Sequence, residues 1–127
     1  MKTVTTNLAE VVQLSENMIK STVVVPYVIE VEDIKEHIQT VHQHFGKNIY
    51  YLSDSRQLKS SSAAARKYLA EHGRILAAAI IVGSALTAMV ANIFISFNRP
   101  SYPNKIFNNE ADAIAWLVEQ GAKAPKA

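Results

Sequence analysis

The chain has 127 residues, enough for one domain that buries about two-thirds of its unfolded surface without metal or disulfide. It contains no cysteine, which excludes disulfides, thiol catalysis and cysteine-ligated zinc or iron–sulfur centres. Its 13 basic and 11 acidic residues leave a formal net charge of +2, a balance that calls for neither nucleic acid nor an anionic membrane, while 49% hydrophobic residues argue against disorder.

The opening residues 1–7 lack an apolar signal core, so no secretory peptide is expected. Together with the absent cysteine this suits a cytoplasmic protein. Residues 8–14 read as a strand, Ser15, Glu16 and Asn17 as a turn, and residues 18–25 as a second strand, forming a hairpin. Pro26 ends the second strand or places it at an edge. Residues 31–45 carry Ile34, Ile38, Val41 and Phe45 at helical spacing, with Glu30, Glu32 and Asp33 where a helix dipole favours acids and Gly46 as terminator.

Residues 48–52 read as a third strand leading into Ser53, Asp54 and Ser55. Ser60, Ser61 and Ser62 precede an alanine-rich helix over 63–72, closed by Gly73. Residues 75–97 hold no charged residue and have the length of a membrane span, but Gly83 and Ser84 divide them. The first part, 75–82, has the character of a buried strand. The second, 85–97, carries the helical stripe Leu86, Met89, Val90, Ile93, Phe94 and Phe97, so strand, turn and helix are expected and no membrane span. Residues 99–103 form a proline-bracketed link, 104–107 a short fifth strand, and 109–120 a last helix capped by Asn108. A single domain over 1–120 and a flexible tail over 121–127 complete the reading.

The order ββαβαβαβα predicts an α/β fold: a mixed, mostly parallel five-stranded sheet with four helices. Periodicity leaves open whether the helices share one face of the sheet. The order, with Ala77-Ala78-Ala79-Ile80-Ile81-Val82-Gly83-Ser84, then Asn92-Ile93-Phe94, then Asn98-Arg99-Pro100-Ser101-Tyr102-Pro103, resembles the STAS/SpoIIAA-like family. Phe107 followed by Glu110, Ala113, Trp116 and Leu117 extends the resemblance, which spans residues 31–117. It implies a small bacterial protein-interaction domain akin to anti-sigma factor antagonists. In those, an aspartate ends the third strand and a serine opening the next helix is phosphorylated. Asp54 and one of Ser60, Ser61 or Ser62 match these positions, although the family's Asp-Ser-x-Gly pattern is absent. The relation of such domains to lipid carriers implies an apolar ligand as the alternative.

Several chemistries lack support. His37 and His42 are five residues apart and His42 and His44 two, spacings that do not share a helical ligand face; the four histidines therefore read as solvated, with no metal and no cofactor expected. No Gly-x-Ser-x-Gly elbow, phosphate-binding loop or dinucleotide fingerprint is present. The expectation is a non-enzymatic regulatory domain that binds a protein partner, with homodimerisation as a further possibility. Its working surface is Asp54, Ser60, Ser61, Ser62 and Arg66, where a phosphate would meet a helix N-terminus. The alternative is a carrier or sensor of a small apolar, lipid-like molecule lined by Gly83, Ser84, Met89 and Phe94.

Overall fold

Short segments rich in apolar and β-branched residues on either side of a Ser-Glu-Asn turn make the hairpin that begins the sheet. In the computed structural model, which describes residues 2–58, 60–83 and 102–125, β2 (Ala9–Gln13) pairs antiparallel with β3 (Met18–Val23), Val11 opposite Ser21. A bond from Leu14 N to Met18 O, 2.8 Å long, closes the turn. β5 (Tyr50–Asp54), β7 (Ala77–Ile81) and β8 (Asn104–Phe107) then add in parallel, as expected where helices form the crossovers. β1 (Thr3–Thr5) adds on the far side of β2, so the order is β1-β2-β3-β5-β7-β8. The main sheet therefore has six strands rather than five, because the β-branched run Thr3-Val4-Thr5 extends the hairpin's free edge.

A second, two-stranded sheet was not foreseen. β4 (Val28–Ile29) pairs parallel with β6 (Ser60–Ser61), and Ser62 N extends the ladder to Ile29 O at 2.9 Å. It ties the segment after β3 to the segment after β5, just before each chain enters a helix. Two-residue strands carry no periodicity, which is why the serines read as loop.

α1 (Val31–Phe45) opens with Asp33 Oδ2 accepting the Glu30 N–H at 2.9 Å, and Gly46 ends it at φ 77°, a conformation glycine adopts freely. α2 (Ala63–His72) is capped by Ser62, whose Oγ accepts the Ala65 N–H at 3.0 Å. α3 (Glu110–Gln120) is capped by Asn109, one residue later than expected, through a 2.8 Å bond from Asp112 N. The fourth predicted helix, 85–97, lies outside the described residues. No helix among the described residues is long and apolar enough to cross a membrane, and the first part of the apolar run forms β7 as expected.

The helices divide between the two faces. Side chains alternate along each strand, so the register sorts them. Met18, Leu52, Ala77, Ala79 and Ile81 pack with Ala113 and Leu117 of α3. Val11, Ile19 and Ala9 face Ile34 and Val41 of α1 and Ala65 of α2. Beyond α3, Ala122 is buried and Lys123 N donates to Asn17 Oδ1 at 2.8 Å, which fastens the chain to the hairpin turn.

Candidate functional site

The two cores differ in what the sheet offers them. On the α3 face, Met18, Leu52, Ile81 and Leu117 are fully buried and fill the space. On the other face the central strands present small side chains beside the larger Ile19, Tyr51 and Ile80. Ser21, Ser53 and Ala78 lie on β3, β5 and β7, and Ala65 faces them from α2. Small groups beneath a helical roof leave room, and a cavity of about 160 Å³ opens there. Ile34, Ile38 and Val41 of α1 and Leu69 of α2 complete its apolar wall.

A chain of buried polar groups borders this cavity. Thr6 Oγ1 accepts the backbone N–H groups of Leu8 at 3.1 Å and Ala9 at 3.0 Å, which occupy its two lone pairs. Its proton goes to His37 Nδ1 at 2.7 Å, shorter than the 3.3 Å to Ala9 O. His37 therefore carries its proton on Nε2 and donates it to the Tyr51 oxygen at 2.8 Å. His37 is only 6% exposed, and burial pulls its pKa down to about 4, so it is neutral at pH 7. Burial likewise pushes the Tyr51 phenol far above its usual range, partly offset by the Ser21 hydroxyl and reinforced by Tyr102. Burial raises Tyr102 to about 12.

His42 also departs from the expectation of solvated histidines. Its Nε2–H lies 2.9 Å from Gly73 O and 3.2 Å from Arg74 O, two acceptors that fix the proton on that nitrogen. Histidine fits these helix positions because the fold supplies a partner at each, which spacing within the helix cannot reveal. Gly73 itself is right-handed helical, and Arg74 takes the positive φ of 41°. Glycine is needed at 73 for close approach: a Cβ there would lie 2.7 Å from Leu69 O and 3.0 Å from the Tyr102 hydroxyl.

The expected working surface is split by the sheet. Ser61 and Arg66 line the cavity, and the Arg66 guanidinium donates to Ser61 O and, at 3.3 Å, to Ser61 Oγ. Ser60 is exposed, and Ser62 is engaged as the α2 cap. Asp54 pairs in register with Ile81 and so faces α3. There its Oδ1 accepts Arg56 Nε at 2.9 Å and Arg56 N at 3.2 Å, its Oδ2 accepts Arg56 Nη2 at 2.6 Å, and Lys20 lies 4.0 Å away. The Arg56 bonds hold its carboxyl below the usual carboxylate range. Lys20 also pairs with Glu110 at the start of α3. Gly83 is exposed beyond β7 and does not line the cavity, while Ser84, Met89 and Phe94 lie outside the described residues. Among the described residues no three His, Asp or Glu side chains converge as metal ligands.

A family model, Domain of unknown function (DUF7793), matches residues 12–120. The chain belongs to the DUF7793 family. No curated protein matches the chain. Among solved structures, this DUF7793 chain is similar to an uncharacterized DUF3478-family protein from Shewanella loihica PV-4 with a SpoIIAA-like fold. The two share 19% identity at a TM-score of 0.62, over 92% of this chain and 98% of the other. At that identity the likeness concerns the fold, and the SpoIIAA-like resemblance read from the sequence holds at that level.

Proposed function

We propose that this DUF7793 domain is a non-enzymatic binding domain that carries or senses a small, mainly apolar molecule in the cavity between the sheet and the α1–α2 layer. The observation behind this reading is the contrast between the faces: one sheet face is filled, and the other holds about 160 Å³ of space edged by buried hydroxyls. A volume of roughly 150 Å³ lined by apolar groups is known to accept a single benzene ring. A long lipid tail exceeds it, so the apolar ligand expected from the sequence becomes a compact one. Any regulatory role then runs through ligand occupancy. The serine segment supports a phosphoswitch less well, because Ser62 caps α2 and Ser61 is engaged by Arg66.

Thermal and chemical unfolding with p-cresol or p-xylene tests the reading. A ligand at about 100 times its Kd raises the unfolding free energy by about 2.7 kcal/mol. Ala78→Leu, which adds volume to the cavity floor, should fold and lose that response. Absence of stabilisation by either compound in the unsubstituted protein would refute the reading.

A further inference from the structure

The polar groups around the cavity go further than its size. Hydrogen-bond accounting fixes the direction of the Thr6–His37–Tyr51 chain, with Tyr51 at its receiving end. The Tyr51 oxygen accepts from His37, so the phenol retains its own O–H proton to donate. Ser21, the hydroxyl bonded to it on this face, carries a second proton, and the bond between the two uses one and leaves one. This wall of the cavity is thus a donor looking for an acceptor.

The opposite wall has the reverse character. Asn104 lines the same cavity, and its buried Oδ1 has no hydrogen-bond partner among the described residues. A buried carbonyl oxygen without a donor is costly, and a ligand that supplies one removes the cost. Register relates the two groups. Tyr51 pairs with Ala78, and Ala78 pairs with Asn104, so all three stand in one row across β5, β7 and β8. Two strand spacings place the outer backbones about 10 Å apart. A six-membered ring with polar atoms at opposite ends can lie along this row over Ala78, whose small side chain leaves the floor clear, and address a group from each outer strand.

Resting on the cavity reading above, we infer that the ligand is an uncharged, single-ring molecule of the phenol class, with a hydrogen-bond acceptor at one end for Tyr51 and a donor at the other for Asn104. Lack of charge follows from the surroundings. Tyr51 and Tyr102 are both half-buried phenols on this side, in a setting that penalises negative charge. The cationic Arg66 also lines the cavity, and its guanidinium is already engaged by Ser61 O and Oγ.

The test is calorimetric titration of the full chain with three compounds of nearly equal shape: p-xylene, p-cresol and hydroquinone, the last under argon. Apolar transfer alone ranks p-xylene first. The inference reverses this order, with p-cresol about tenfold tighter than p-xylene and hydroquinone tighter again. Tyr51→Phe should erase the advantage of p-cresol, and Asn104→Leu the added advantage of hydroquinone. If p-xylene binds as tightly as p-cresol or more so, the cavity reading survives and this inference is overturned. If none of the three binds, both fail. The three-compound ranking needs no variant, so it decides the matter even where Tyr51→Phe does not fold.

Discussion

His37 shows how a side chain's environment, rather than its identity, sets what it does. Its ring sits between Thr6 and Tyr51, two neutral hydroxyl partners, and burial holds it neutral down to about pH 4. The unfolded chain takes up the same proton near pH 6.5. A depressed pKa in the folded state means that the stabilising contribution is complete above pH 6.5 and is lost as pH falls toward 4. Between pH 6 and 5 the slope should approach about 1.4 kcal/mol per pH unit. Denaturant titrations across that window should show the slope in the parent protein and its absence in His37→Asn, while an unchanged slope in the variant would assign it elsewhere. The sequence exposes little of this. His37 shares the helix face of Ile34 and Val41, a visible hint of burial. Its partners Thr6 and Tyr51 lie 31 and 14 residues away, beyond any local pattern.

Elements with their own periodicity or caps were legible. The hairpin, α1, α2, β7 and α3 each follow from apolar runs bounded by turn residues, 3.6-residue spacing or a capping residue. Ser62 is the plainest case: serine before an alanine-rich run accepts the Ala65 N–H. Ser62→Ala should lower stability by about 1 kcal/mol, measurable by urea denaturation, whereas Ser60→Ala should leave it nearly unchanged because Ser60 is exposed. Equal losses at both positions would contradict the assignment of the cap. β1, β4 and β6 escaped sequence reading because each is two or three residues long and is defined by its partner. β6 matters most, since it moves Ser61 from a free loop into a ladder beside the cavity. Asp54 and Ser61 lie seven positions apart, yet the alternation of β5 turns Asp54 toward α3 while Ser61 borders the opposite face. Chain proximity therefore suggested one surface where the fold makes two.

For the whole molecule, the decisive feature is the asymmetry of the sheet. The order of elements and the parallel crossovers were readable from the alternation of strands and helices, and the SpoIIAA-like fold was readable from that order and its motifs. The division of helices between faces was not, because it depends on which side each crossover takes. Nor was the cavity, which arises where Ser21, Ser53 and Ala78 share the sheet face beneath α1 and α2. Each of these residues is unremarked alone, and their alignment appears only with the strands paired. The central claim is that one face is filled and the other receives a ligand. The most direct measurement is a methyl-resolved NMR titration of the chain with p-cresol. Shifts at cavity-lining methyls such as Ile34, Ile38, Val41, Ala65, Leu69 and Ala78, with Met18, Leu52 and Leu117 unmoved, are the predicted result. Shifts on the α3 face, or none on either, would contradict it.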